Sequence, residues 1–321
     1  FNYDTKNKSY KIERILKGDS WVAAADSPLT AMGVNLKEQD QIFAIDGVSF
    51  NKASDLYELL ENKAAQKIEL TVQRKNDKAK EKVVVKSNKT LRAAWYREWV
   101  EKNKKYVHEM SGGKLGYVHI PDMGSNGYAE FYRHFVSESQ YEGLVVDVRY
   151  NGGGHVSQHL LKVLAQKVIG FDETRYQGVE KFPTYAPGVL VALANEHSGS
   201  DGDIFPHSFK LMGLGKLIGK RTWGGIIGIN GQYSLRDGAY VTQPEYSFWF
   251  KDNEWHVENH GVDPDIEVEI TPEDYRDKKD PQLDRGIKEA LAELKKNPNT
   301  KFKPSYYPDL SIPKKLEKLN R

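Results

Sequence analysis

The sequence of 321 residues contains no cysteine. It can therefore form no disulfide, no thiolate nucleophile and no cysteine-ligated zinc site. Long hydrophobic runs are also missing, because a run such as Val189 to Ala194 has the length of a strand and is far too short to cross a bilayer. We therefore predict no membrane span. These absences suit the cytoplasm and the periplasm equally, so the compartment stays unknown.

The chain also lacks a large net charge of either sign. The chain has 47 basic and 45 acidic side chains, a net charge of +2, and no basic stripe of the kind that binds nucleic acid. Its content of 39% hydrophobic and 29% charged residues is typical of a globular protein. The length favours at least two domains. The start at Phe1, without an initiator Met or a signal-peptide pattern, indicates a fragment or a processed product.

Residues 10 to about 88 have the pattern of a small domain of strands with a short helix at 27–33 and a second, amphipathic helix. Strands are predicted where apolar and polar residues alternate or where apolar residues follow one another, namely in 11–16, 41–47, 67–73 and 82–86. Apolar residues at helical spacing in 53–63 predict an amphipathic helix.

From residue 114 onward, strand and helix patterns alternate, which favours an α/β layer. The predicted strands are 114–120, 143–148, 189–195 and 216–222, and the predicted helices are 156–166, one from about Asp203, and 282–296. Residues 240–257 alternate around a turn at Lys251, so we expect a hairpin there.

Ser200 leaves the strand 189–195 across a short turn that contains glycine and then enters a helix. Free N–H groups at a helix start can stabilise an oxyanion beside a nucleophilic hydroxyl. The alternative is that Ser200 only caps the helix, since the Gly-x-Ser-x-Gly elbow is absent. Asp201 and Asp203 suit the first turn of that helix and can cap it.

Three glycines in the run Arg149 to Gly154 follow the strand 143–148. Glycines let the backbone approach a ligand closely. A phosphate loop is disfavoured, because no Lys-Ser or Lys-Thr follows at the required spacing. An oxyanion hole suits the run better, with Gly153 or Gly154 donating an N–H opposite that of Asp201. A tight structural turn remains the alternative.

Glu258 lies in the run Val257 to Asp265, where Gly261 and Pro264 follow it and predict an ordered loop after the hairpin. A carboxylate in an ordered loop can orient a catalytic base or the partner of that base. A surface carboxylate is the alternative.

Taken together, these segments resemble the C-terminal processing peptidases and, more closely, the tricorn protease family. The matching segments are the PDZ-like unit and residues 146–154, 195–205, 219–225 and 258–265. The resemblance implies a mixed α/β (α+β) chain, with a PDZ-like domain followed by a crotonase/ClpP-like α/β peptidase domain. The expected divisions are a PDZ-like domain 1–89, a linker helix 90–112, a peptidase domain 113–275 and a C-terminal helix and tail 276–321.

The same resemblance assigns roles to individual residues. Ser200 is the implied nucleophile, and Gly153 and Asp201 are the implied oxyanion donors. Glu258 is the implied distal member of a Ser-His-Ser-Glu relay. The resemblance further implies a homo-oligomer, and the chemistry calls for no cofactor. PDZ folds bind extended peptides by strand addition, so the first domain is a candidate docking site for peptides. The alternative is that this domain only packs against the neighbouring one.

The general base is not identified. Many C-terminal processing peptidases use a Lys where this chain has Trp223-Gly-Gly225, so the resemblance shifts to the tricorn group, whose base is His. In that group the His precedes the PDZ domain, and we expect it upstream of Phe1. His155 and His197 are weaker candidates within the chain. No metal site is predicted, since His155 and His159 are a helical pair without a third ligand.

The predicted function is that of a serine peptidase that cleaves extended peptides through an acyl-enzyme at Ser200. The first alternative is a non-catalytic peptide-binding scaffold. The second is a crotonase-type enzyme that acts on an acyl thioester through the same oxyanion geometry.

Overall fold

The computed structural model of the chain divides into two compact units, Phe1–Lys105 and Tyr106–Arg321. The residues that the structure describes are 1–19, 21–22, 25–176, 178–231 and 234–307. Within those residues, no helix combines the length and the apolarity that a membrane crossing requires.

The first unit is built on a six-stranded antiparallel sheet with two helices. In chain order its elements are β1 (Asn2–Asp4), β2 (Ser9–Lys11), β3 (Gln41–Ile45), β4 (Val48–Ser49), α1 (Asp55–Leu60), β5 (Lys67–Gln73), β6 (Lys80–Lys86) and α2 (Arg92–Met110), which runs past the division between the units. The strand order is β1-β2-β3-β5-β6, and β4 pairs with β3. Strand β5 alternates between buried and less buried residues, so Ile68, Leu70 and Val72 face a core that includes Leu56 of α1.

In its described residues, the second unit contains a five-stranded parallel sheet, two small antiparallel pairs and five helices. In chain order they are β7 (Leu115–His119), α3 (Ser125–Glu138), β8 (Gly143–Asp147), α4 (Ser157–Leu164), β9 (Gly170–Thr174), β10 (Gly178–Phe182), β11 (Val189–Ala194), α5 (Asp201–Leu211), β12 (Gly215–Gly219), β13 (Gly228–Asn230), β14 (Gln243–Tyr246), β15 (Ile266–Glu267), α6 (Pro272–Asp277) and α7 (Pro281–Lys296). The parallel sheet has the order β15-β12-β11-β8-β7.

Helices cover both faces of this sheet, which explains why β11 is apolar throughout and β8 is apolar up to Asp147. Leu144 and Val146 of β8 belong to the core cluster that holds Phe131 of α3 and Phe205 of α5. On the opposite face, α7 packs so closely that a Cβ on Gly286 would lie 2.9 Å from Leu193 Cδ2.

The sheet brings the predicted site segments together. Strands β8 and β11 are parallel neighbours, with Leu193 opposite Asp147. The loops that follow them, 148–156 and 195–200, therefore leave the same edge of the sheet. Sites of open α/β sheets form at such an edge.

The hairpin predicted for 240–257 is wrong in its pairing. The turn exists as a single bridge between Phe250 and Glu254, but β14 pairs with β13. Gly228 of β13 has no side chain, and a Cβ there would lie 2.1 Å from Tyr246 Cζ. The Tyr246 ring thus packs on Gly228, and this contact favours the observed partner.

Candidate active site

Ser200 has a strained backbone where β11 gives way to α5. Its φ of 58° and ψ of −124° lie in a region that residues other than glycine rarely adopt. Such a conformation costs about 1–3 kcal/mol and persists only where the surrounding structure imposes it. A sharp, strained turn from strand to helix exposes the hydroxyl of its central serine. The backbone of Ser200 therefore has the sharp turn from strand to helix that is called a nucleophile elbow. The glycine pattern that usually flanks the serine of such an elbow is incomplete.

The turn before Ser200 is hydrogen-bonded to the loop after β8. The Ser198 hydroxyl donates to Val148 O at 2.8 Å, and the Gly199 N–H donates to Asn151 O at 2.9 Å. Ser198 and Asn151 are completely buried. The serine turn and the glycine loop consequently form one hydrogen-bonded structure. Neither residue can be singled out from the sequence, because a single polar residue after a buried strand is a weak signal.

Gly153 lies directly against Ser200. It has a φ of +92°, and a Cβ there would lie 2.5 Å from Ser200 Cβ and 2.8 Å from Gly199 O. Only glycine fits this position. Its N–H donates to Asn151 Oδ1 at 2.9 Å. Donation from Gly153 to an oxyanion would therefore require that bond to be shared or broken, and this role stays a prediction.

Asp201 is the first residue of α5, so its N–H has no acceptor within the helix. Its carboxylate accepts from Ser157 N at 3.0 Å and from Ser157 Oγ at 2.5 Å. The idea that Asp201 caps its own helix is thus wrong, because the carboxylate binds the start of α4. Burial raises the pKa of Asp201, and the hydrogen bonds from Ser157 oppose this rise.

The loop 222–225 also contacts the serine turn. The Trp223 N–H donates to Ser198 O at 2.9 Å, and the Gly224 N–H donates to Asp203 Oδ1 at 2.8 Å. Burial raises the pKa of Asp203, while a hydrogen bond from Thr222 opposes the rise. The segment 222–225 thus lies beside the serine turn, where it places Trp223 and two glycines.

Glu258 is fixed by the next part of the same segment. Its Oε2 accepts from Ile226 N at 2.7 Å and from Ile227 N at 3.0 Å. Residues 222–227 therefore contact the Ser200 turn at one end and Glu258 at the other. Glu258 also lines a cavity of about 640 Å³ together with His207 and His256. No three metal-binding side chains in the described part of the chain are placed to hold an ion.

The two histidine candidates have other partners. The His155 Nδ1 lies 3.3 Å from the Tyr246 hydroxyl. The His197 ring stacks on Tyr150, with centroids 5.4 Å apart and an interplanar angle of 15°. Among the described residues, neither imidazole is hydrogen-bonded to Ser200.

A buried ion pair supports the start of the glycine loop. Arg149 donates to Asp147 from Nε at 2.9 Å and from Nη2 at 2.7 Å, and from Nη1 to Asp280 at 2.9 Å. Burial alone would raise the pKa of Asp147, but the Arg149 guanidinium lowers it below its ordinary value. Asp280 is the N-cap of α7. The pair therefore connects β8 and the loop after it to the C-terminal helix.

Comparison with known proteins gives two domain matches and several relatives that match most of this chain. The tricorn protease PDZ domain matches residues 1–89, and peptidase family S41 matches residues 114–268. The chain is 43% identical to the tricorn protease of Thermoplasma volcanium and 50% identical to the tricorn protease homolog of Saccharolobus solfataricus, in each case over 92% of its length. It covers 29% and 27% of those two proteins. A crystal structure of the tricorn protease matches 90% of this chain with a TM-score of 0.83 and 44% identity, and 28% of that protein is covered.

Residues 114–268 therefore form a domain of the peptidase S41 type, the class that the parallel sheet and the serine turn indicate. More narrowly, the chain is similar to one part of the tricorn proteases, and its residues 1–89 match their PDZ domain. The predicted resemblance and fold class are confirmed. The chain spans less than a third of the length of the two curated relatives described here.

Proposed function

We propose that this chain is the nucleophile-bearing part of a serine peptidase that hydrolyses extended peptides. The conformation of Ser200 carries the proposal, since its strained backbone is fixed between Gly153 and the start of α5. The Ser200 hydroxyl attacks the scissile carbonyl and forms a tetrahedral oxyanion. Collapse of this intermediate releases the amine product and leaves an acyl-enzyme, which water then hydrolyses.

The oxyanion is stabilised by backbone donors at the helix start. The Asp201 N–H is the first donor, because it has no acceptor within α5. Gly153 is the second, provided that its bond to Asn151 is shared or broken when substrate binds.

The general base is a histidine supplied by a segment that precedes the PDZ domain, and Glu258 is the distal member of its relay. Two N–H groups bind Oε2 of Glu258, and the side chain lines the 640 Å³ cavity. A carboxylate fixed in this way can accept a hydrogen bond from an incoming hydroxyl without reorientation. The partners of His155 and His197 make either one a poorer base.

The PDZ-like unit is a docking site for peptides, and the active protein is a homo-oligomer. An apolar groove of about 290 Å³ lies within the first unit, lined by Leu29, Ile42, Leu56, Leu60 and Ile68. Helix α1 forms one side of it, as strand addition beside a PDZ helix requires. The oligomer rests on the resemblance alone.

The class of substrate that the protein cleaves tests this proposal. The full-length protein is expected to cleave internally quenched peptides of about ten residues, a length that suits extended binding, and to leave acyl-coenzyme A thioesters intact. Mass spectrometry of the products identifies the bond that is cut. Thioester hydrolysis without peptide cleavage would favour the crotonase-type alternative, and peptide binding without cleavage would favour the scaffold.

A further inference from the structure

Ser157 stands at the start of α4 and binds the residue that follows the nucleophile. Its N–H and its hydroxyl donate to the two carboxylate oxygens of Asp201, at 3.0 and 2.5 Å. Ser157 is 6% exposed and Asp201 is 5% exposed. The two bonds are therefore shielded from water, where charge-assisted hydrogen bonds are strong.

The direction of the Asp201 N–H depends on the peptide plane between Ser200 and Asp201. Rotation of that plane changes ψ of Ser200 and φ of Asp201 together. Ser200 is strained in its present conformation, so such a rotation offers it relief. The peptide plane keeps its orientation only if the surrounding contacts hold Asp201 in place. The double bond to Ser157 is one of those contacts.

The same two bonds also fix the distance between the two loops of the site. Helix α4 starts at Ser157, three residues after Gly154, while Asp201 starts α5. At the other end of the interface, the Gly199 N–H binds Asn151 O. The Ser157–Asp201 pair and the Gly199–Asn151 bond thus hold the glycine loop against the serine turn from both sides.

The geometry points to Ser157 as a positioning residue for the oxyanion hole, a role that rests on the peptidase function proposed above. Ser157 holds the Asp201 carboxylate, and through it the Asp201 N–H, in the direction that a tetrahedral oxyanion needs. The Asp201 side chain thus stabilises the transition state indirectly, although only its backbone touches the reacting oxygen. Such a contribution acts on the transition state more than on bound substrate.

Replacement of Ser157 by alanine in the full-length protein tests this role. We expect kcat for peptide hydrolysis to fall about 10- to 100-fold, less than the loss on removal of an oxyanion donor, with KM changed less than about threefold. Affinity for a peptide boronate, which forms a tetrahedral adduct with the serine, should fall by the same factor as kcat/KM. Affinity for the cleaved product peptide should not change.

Two matched variants separate positioning from general loss of structure. Asp201→Asn keeps an oxygen for the Ser157 N–H and is expected to retain much more activity than Asp201→Ala. Ser139→Ala also removes a buried serine hydroxyl, one that donates to Val136 O at 3.4 Å, and should leave kcat unchanged. Circular dichroism and thermal unfolding show whether each variant is folded.

The outcomes are distinct. If Ser157→Ala keeps the parental kcat and boronate affinity while Ser200→Ala is inactive, the positioning role is wrong and the peptidase function stands. Equal losses of product and boronate affinity would also overturn it, because they indicate a general distortion. A parent protein that cleaves no peptide overturns both the function and this role.

Discussion

Replacement of Ser200 by alanine is expected to lower kcat/KM for peptide hydrolysis by about 10⁴-fold or more, the scale of loss when a serine nucleophile is removed. The other hydroxyl of this turn, that of Ser198, is buried and donates to Val148 O, so the proposed acyl-enzyme forms on Ser200. Initial rates with a quenched peptide substrate measure the effect in the full-length protein. Substrate affinity is expected to remain near the parental value, since alanine removes only the hydroxyl oxygen.

Ser200→Gly provides the matched control for this prediction. Glycine adopts a positive φ without strain, so this variant should be as inactive as Ser200→Ala and more stable by roughly 1 kcal/mol, the lower end of the strain range. A rise in unfolding free energy with loss of turnover would show that strain is maintained for function. Substantial activity in Ser200→Ala would mean that another residue is the nucleophile.

Replacement of Arg149 by methionine is expected to lower the free energy of unfolding by about 3–5 kcal/mol, because it leaves a buried carboxylate unpaired. Asp147 is completely buried, and the Arg149 side chain donates three of its hydrogen bonds. Urea unfolding monitored by circular dichroism measures the change at pH 7.

The pH dependence of this effect has a defined sign. The pKa of Asp147 is lowered in the folded chain. The ion pair therefore stabilises the folded state fully at a pH above the ordinary Asp pKa of about 3.9. This stabilisation is lost as the pH falls through the lowered pKa of the folded state. The difference between parent and Arg149→Met should therefore shrink in acid.

Two further variants test the cause of the Arg149 effect. The double variant Asp147→Asn with Arg149→Met leaves no buried charge at this position and is expected to recover much of the lost stability. Arg276→Met removes one side of an exposed pair with Asp277 and should cost less than about 1 kcal/mol. If Arg149→Met also lowered the free energy of unfolding by less than about 1 kcal/mol, the buried pair would not stabilise the fold as proposed.

Local patterns were sufficient to predict most of the regular elements. The apolar runs of β8 and β11 predicted strands buried on both faces, and the structure shows both within the parallel sheet. Residues 282–296 have helical spacing and form most of α7. Because parallel strands place their carboxyl ends at one edge, the approach of Gly153 to Ser200 could also be predicted.

Long-range pairing and backbone strain could not be predicted in this way. The choice of β13 as the partner of β14 depends on a ring that packs on Gly228, which no periodicity reveals. The Asp201 carboxylate binds Ser157, 44 residues away, whereas local preference suggested a cap of its own helix. The positive φ of Ser200 is also imposed by tertiary contacts, since serine alone does not favour it.

Labelling with a fluorophosphonate tests the central claim most directly, namely that Ser200 is an activated nucleophile. This reagent phosphonylates a serine hydroxyl whose proton a base removes. In the full-length protein we predict one adduct per chain, located at Ser200 by peptide mapping and absent from Ser200→Ala. An unlabelled full-length protein, or an adduct at another residue, would contradict this account.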